Sequence, residues 1–413
     1  MNMMMKKTAL AVALGLALGL TACGGGGGGS ASSGGTTPAP TPNPNQDVCN
    51  NIDGIQSYPL PNALKYSPAT PDRIKAIPDG AYNTYCTNWG VDPKLGAFFK
   101  SQNKDPQNWM FLDLINAEYA YERGAKGAGV AIVISDNGIW QNHVELQGKV
   151  IEAWGKPAES GVPPYTYPAY AHGTGSASAA AGYTVGVASE SALIDQANSG
   201  FRFVDTTNPK AKVYSLSVGW VDGYYDTFYN PQSRVNFIKN DMVMIQASGN
   251  DGGAMDELYP FMNNKPGYPM FDPDTKTRLI ISGGTSAFDP DTPIYNHPGE
   301  NVAYQQVFIT SPVCGINVAD YDPNDPTKVS TICGTSIATP TVSAVVAIVR
   351  GMYPSLSSEK VVKAIFQGAN KSFTTMYSDN TCGKSKTANC GWYYFGHGLL
   401  DVKGAIMEAE KML

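Results

Sequence analysis

The sequence predicts an α/β fold, built as a mostly parallel open sheet with helices on both faces. Three observations carry that expectation. Short, near-continuous runs of Val, Ile and Leu recur, as in Val130-Ala131-Ile132-Val133-Ile134, and strands buried on both faces read this way. Helical stretches alternate with those runs. Residues 337–350 are apolar on every face, and such a helix belongs inside a large domain.

In chain order, the first element is a leader. Lys6 and Lys7 precede an apolar stretch, residues 8–22, that is too short to span a bilayer and is flanked as a signal peptide is. Leu20-Thr21-Ala22-Cys23 resembles a bacterial lipobox, in which the cysteine is acylated and becomes the new N-terminus. Gly24 rather than Asp after it implies, by resemblance to Gram-negative lipoproteins, outer-membrane sorting on the periplasmic or cell-surface face. Residues 1–22 are thus read as a signal peptide. Residues 23–46, rich in Gly, Ser and Pro, are read as a linker that stiffens toward a polyproline spacer. No later segment reads as long and apolar enough to cross a membrane.

Residues 47–107 hold much Pro, Asn and Tyr with little periodicity, and read as an N-terminal extension packed on the main body. A removable folding propeptide is the other reading. Residues 108–413 form the main domain. Its strands are expected at 130–134, 192–194, 213–218, 242–247, 279–281 and 307–309, and its helices at 172–182, 336–350, 357–368 and 401–412. Residues 223–240, rich in Tyr and Asn, give no clear period.

Formal net charge is −6, and −8 once Lys6 and Lys7 leave with the leader. There is no basic block, so nucleic acid is not an expected partner. Of seven cysteines, removal of Cys23 leaves an even set in an exported chain. No C-x-x-C spacing favours a metal. Six cysteines allow about 15 pairings, and sequence neighbours suggest Cys49–Cys86, Cys314–Cys333 and Cys382–Cys390.

In an open α/β sheet, ligands sit beyond the carboxyl ends of the strands. Asp136 follows the first run, Asn250 follows the run at 242–247, and His172 opens a helix. Ser336 opens the all-apolar helix, where unpaired N–H groups and the helix dipole favour negative charge. Taken alone, a serine after Gly-Thr is also an ordinary helix cap. The order Asp, His, Ser is the decisive addition, because it is one of the known orders of a nucleophilic triad.

Around these residues the motifs become specific. Asp136-Asn137-Gly138-Ile139, His143-Val144-Glu145-Leu146, His172-Gly173-Thr174 and Gly334-Thr335-Ser336-Ile337-Ala338-Thr339-Pro340 appear in that order. They resemble the motifs of the subtilisin-like serine proteases, the subtilases or peptidase S8 family. Trp109 with Ile115-Asn116-Ala117, and Gly396-His397-Gly398-Leu399-Leu400-Asp401, resemble the family's opening and closing segments, so the resemblance covers roughly residues 108–413. It implies a subtilisin-like fold and a serine endopeptidase. Ser336 would be nucleophile, His172 general base and acid, Asp136 the residue that orients His172, and Asn250 an oxyanion donor. Ser217, Val218 and Gly219 look like the strand that pairs with substrate. Asn137 replaces the usual Ser or Thr, and Gly175 stands where a second His is common. Lipidated relatives often continue into a translocating barrel, and this chain is expected to lack one.

The remaining residues read more plainly. His143, His297 and His397 match no catalytic position and are expected to be packing or surface histidines. The acidic loop 320–325 offers oxygen ligands of the kind calcium takes, as subtilases often use. It lacks the EF-hand pattern and reads better as a solvated turn. No cofactor and no metal are required. Trp220 and the absence of a clear buried acid pair favour an apolar P1 pocket, with Asp256 and Glu257 as the acids that would reverse this. The expected partners are protein or peptide substrates and a membrane reached through the anchor at Cys23, with the chain acting as a monomer. The rival reading is a tethered surface binding protein on an inactive scaffold of the same kind.

Overall fold

The structure, a computed structural model, describes residues 98–155, 170–197, 210–218, 231–263, 269–286, 293–372 and 380–413. The leader, Cys23, the linker, Cys49, Cys86, Gly219, Trp220 and most of the extension lie outside the described residues.

Eight strands form one sheet in the order β2-β3-β1-β4-β5-β6-β7-β8. They are β1 (Ala131–Asp136), β2 (Val150–Gly155), β3 (Ala192–Ala197), β4 (Ala211–Leu216), β5 (Val243–Ala247), β6 (Leu279–Ser286), β7 (Phe308–Ala319) and β8 (Val329–Cys333). Neighbouring strands run parallel except β7 and β8, which pair antiparallel from Cys314 opposite Cys333 to Ala319 opposite Val329. The fold is the expected mostly parallel α/β sheet with helices on both faces.

Why these runs are continuous is visible in the core. Successive side chains of a strand point to opposite faces, and here both faces are covered. Ile132 and Ile134, Val213, Val243 and Ile245, and Ile280 pack into one hydrophobic cluster with the helix Thr335–Met352. Val133, Tyr214, Met244, Leu279 and Ile281 pack into a second cluster on the other face, with Phe237 of the helix Pro231–Lys239. A strand with apolar neighbours on both sides has no use for polar alternation.

The long helices fall close to the expected positions, at Ala171–Ala181, Thr335–Met352, Ser358–Gly368 and Val402–Glu410. The described part of residues 223–240 is the helix Pro231–Lys239. Two strands escaped the sequence reading, and both are sheet edges. β2 exposes Ile151 and carries Glu152, and β8 is Val-Ser-Thr-Ile-Cys with only partial burial, so neither forms an apolar run. β7 also runs far beyond residue 309, through Pro312, a residue that argues against a strand interior when seen in sequence. One expectation is corrected. The helix Thr335–Met352 is long and apolar enough to cross a membrane by length and composition, although it is packed inside the sheet's cover.

Chain order places the site. β1 is the strand at which sheet order reverses, with β3 and β2 on one side and β4 onward on the other. Such a switch point opens a crevice beyond the strand ends. Asp136 is the last residue of β1. The helices carrying His172 and Ser336 pack against each other and against β1.

Candidate active site

Asp136 and His172 are brought together by β1 and the helix that begins at Ala171. His172 Nδ1 lies 2.8 Å from both Asp136 carboxylate oxygens. Nδ1 therefore carries the proton and donates it, which leaves Nε2 as an acceptor. The carboxylate is fully buried and is held from two further directions. The Asn137 N–H donates to Oδ1 at 2.8 Å, and Ser176 Oγ donates to Oδ2 at 3.2 Å. Burial disfavours the imidazolium, but the charge and hydrogen bond of Asp136 outweigh it, so the His172 pKa lies above its ordinary value of 6.5. The ring remains 21% exposed.

The approach of the His172 helix to the loop after β1 depends on small residues. A Cβ at Gly173 would come within 2.3 Å of the Gly138 carbonyl oxygen. Asn137 uses that closeness: its Oδ1 accepts the Gly173 N–H at 2.8 Å and so satisfies one of the helix's unpaired first-turn donors. Thr174 Oγ1 likewise accepts the Trp140 N–H at 2.8 Å. The departure from Ser or Thr at residue 137 thus has a structural use.

Ser336 is the second residue of the helix Thr335–Met352 and is partly exposed. Gly334 precedes it at φ +149°, a backbone that side chains rarely adopt, and a Cβ there would sit 3.6 Å from Asn250 Nδ2. Asn250 is tied to the same turn. Its Oδ1 accepts both the Thr335 N–H and Thr335 Oγ1, each at 2.9 Å. The oxygen end of the amide is therefore anchored, and its N–H end is left for another partner. Ser217 meets Ser336 twice, with its Oγ donating to the Ser336 carbonyl at 2.9 Å and its own carbonyl accepting weakly from Ser336 Oγ at 3.5 Å. Gln246 Nε2 donates to the Val218 carbonyl at 2.6 Å, fixing the segment that follows β4.

The other histidines are packing residues, as expected. His143 is buried, with Nε2 2.7 Å from the Lys328 carbonyl, and burial lowers its pKa. His297 lies 3.1 Å from the Tyr393 carbonyl, and burial pushes it down to about 4. His397 stacks on Phe366 at 4.1 Å, and burial lowers it as well. Asp256 accepts the Asn301 N–H at 2.8 Å, and Glu257 pairs with Lys384 at 3.0 Å. In the acidic loop, Asp320 takes Lys328 and Ser330 while Asp325 takes Thr327. Among the described residues no three His, Cys, Asp or Glu side chains cluster as metal ligands. Cys314 is joined to Cys333, and Cys382 to Cys390.

Four residues of the site were not given a role from sequence: Thr335, which anchors Asn250; Ser176, which supports Asp136; Asn137, which joins the loop to the helix; and Asp195. Asp195 Oδ2 accepts the Ile139 N–H at 3.1 Å and so holds the loop after Asp136. The available signal was a carboxylate that breaks an apolar run within a strand buried on both faces, since a buried charge needs a partner.

With this geometry in place, the similarities are informative. A family model described as the subtilase family matches residues 127–385. Subtilisin-like protease 2 of Pseudogymnoascus destructans is 27% identical over 271 residues, which is 61% of this chain and 60% of that protein. Subtilisin-like protease 1 of the same organism is 26% identical, over 57% of this chain and 54% of its own length. The chain therefore spans less than two thirds of either relative. Thermitase of Thermoactinomyces vulgaris is 25% identical, over 63% of this chain and 86% of its own. Among solved structures, the prenylagaramide maturation protease PagA aligns with a TM-score of 0.49 at 20% identity, over 71% of this chain and 98% of that one. The MycP3 protease from the type VII (ESX-3) secretion system aligns with a TM-score of 0.49 at 18% identity, over 72% and 87%.

Proposed function

The chain belongs to the subtilase family, and we propose that it is an exported, lipid-anchored serine endopeptidase. The observation that carries this reading is the coupling of Asp136 to His172 beside a turn in which Ser336, Thr335 and Asn250 are interlocked.

In the proposed reaction, Ser336 Oγ leaves its long contact with Ser217 and turns to His172 Nε2. Such hydrogen bonds are often loose until substrate is bound. His172 Nε2 takes the hydroxyl proton as Oγ bonds to the substrate carbonyl carbon. Asp136 keeps the ring in the Nδ1–H tautomer and stabilises the imidazolium that forms. The carbonyl oxygen becomes an oxyanion and accepts from Asn250 Nδ2 and from the Ser336 N–H. The latter lies in the first helical turn, where donors lack helical partners and the dipole favours negative charge. The carbon–nitrogen bond then breaks, and the leaving amine takes the proton from His172. Water, deprotonated by His172, hydrolyses the acyl-enzyme and restores Ser336.

Ser217, Val218 and Gly219 pair with the substrate backbone, and P1 is broad and apolar. Glu257 is already paired with Lys384, which supports an apolar P1 over a basic one. Asp256, whose Oδ2 takes the Asn301 N–H and whose buried Oδ1 has no partner, is the acid that would reverse it. The anchor is an acylated Cys23 in the outer membrane, with the linker and extension as a permanent strut. These statements rest on the leader, the lipobox and the glycine-rich tether. Turnover of an unfolded casein-type substrate tests the enzymatic reading. Ser336→Ala, His172→Ala and Asp136→Ala should each lose most activity, and their losses should not add, because the triad acts as a unit. A Ser336→Ala chain that keeps most of its turnover would overturn the Ser336 mechanism, and a wild type with no turnover would favour the tethered binding protein instead.

A further inference from the structure

A cavity of about 400 Å³ adjoins the proposed site, lined by Ile139, Trp140, Trp154, Tyr170, Asp195 and Ala197 among others. Its walls come from the ends of β2 and β3, from the loop after Asp136 and from the residue that opens the His172 helix. In the sheet, β2 and β3 lie on one side of β1, whereas β4 and β5, which lead to Ser217 and Asn250, lie on the other. The cavity is therefore across the Asp136–His172 pair from Ser217 and Asn250.

Its chemistry is unusual for a packing defect. Two indoles and a phenol supply flat aromatic faces. Asp195 is only 4% exposed, yet its Oδ1 is buried with no hydrogen-bond partner, while Oδ2 takes the Ile139 N–H. Leaving a buried carboxylate oxygen unmet is costly. Burial, opposed by the Ile139 N–H and reinforced by nearby Asp136, pushes the Asp195 carboxyl up to about 6. A carboxylate beside aromatic faces in a cavity of this size is complemented by a cationic side chain with an apolar stem, which can stack on the rings and reach the acid.

Resting on the peptidase reading above, we infer that this cavity takes the lysine or arginine side chain at P2 of the substrate and that Asp195 sets that preference. The register follows from extended backbone, in which adjacent side chains point in opposite directions. With P1 turned toward the Ser217 and Val218 side, P2 turns toward His172 and the cavity beside it. Specificity is then divided between an apolar P1 and a basic P2.

Two peptides identical except for lysine or norleucine at P2 test this on the full chain. The wild type should favour lysine by about tenfold in kcat/KM, the scale of one charge-assisted hydrogen bond. Asp195→Asn keeps an acceptor for the Ile139 N–H but removes the charge, and should bring the ratio to within about twofold of one. A merely structural role for Asp195 would change both peptides alike and leave the ratio intact. Calorimetric binding of the same peptides to Ser336→Ala reads the preference without turnover. Tighter binding of the lysine peptide, with neither peptide cleaved by wild type, would keep the pocket and remove the peptidase. A wild-type ratio near one, a ratio that survives Asp195→Asn, or equal binding of both peptides would overturn the assignment.

Discussion

His172 shows how much of the site's behaviour is set by one neighbour. In its proposed role as base it must be neutral, and Asp136 holds its pKa above 6.5 against the effect of burial. The acidic limb of kcat/KM should therefore lie above 6.5, with activity rising as pH increases through it. The linkage to stability has the opposite slope. A raised folded-state pKa means that the Asp136–His172 pair contributes fully below the unfolded value and that this contribution fades as pH rises through the folded one. NMR titration of the ring in Asp136→Asn should find a pKa below 6.5, because burial would then act unopposed; an unchanged value would show that Asp136 is not the cause. Asn250→Ala should lower kcat by about 100- to 1000-fold, the usual cost of a lost oxyanion donor. Thr335→Val removes one of the two bonds on Asn250 Oδ1, so a smaller loss in kcat of about fivefold is expected. Steady-state kinetics with KM near that of wild type would place both residues in transition-state stabilisation rather than in substrate binding.

At the scale of elements, the helix that carries Ser336, the proposed nucleophile, is buried along nearly its whole length. Ile348 is completely buried in the main cluster, so Ile348→Ala should cost about 2–5 kcal/mol in denaturant unfolding while leaving the site's chemistry in place. The Cys314–Cys333 bridge ties β7 to β8 immediately before Gly334, with a sequence separation of 19. Replacing both cysteines with serine should lower stability by about 3 kcal/mol on the chain-entropy model, and a midpoint that does not move would show that β7–β8 pairing suffices. These elements also show why some of the fold was legible and some was not. The central strands announced themselves because two covered faces require continuous Val, Ile and Leu. β2 and β8 did not, because an edge strand carrying Glu152 or Ser330 and Thr331 has no such requirement. Asp136, His172, Ser336 and Asn250 were legible through motif and order. Thr335 and Asn137 lay within those same motifs, but their roles depend on which side chain faces which across the chain, and sequence spacing does not specify that. Asp195 was hidden because its run is short and its partner, the Ile139 N–H, is 56 residues away.

At the scale of the whole molecule, an α/β peptidase domain is proposed to be joined to a lipid through a glycine-rich linker. Cys23→Ala should move the chain from the membrane fraction to the soluble one with its peptidase activity intact. Mass spectrometry of active protein extracted from membranes should find a single chain beginning at acylated Cys23; an active soluble chain beginning near residue 108 would make the extension a removable propeptide. Reaction of the full chain with a fluorophosphonate, followed by peptide mapping, tests whether Ser336 is a nucleophile activated by His172 within this fold. One label per molecule is expected, on Ser336, with peptidase activity lost in proportion and labelling strongly reduced in His172→Ala. Peptidase activity that persists while Ser336 remains unlabelled would contradict that role.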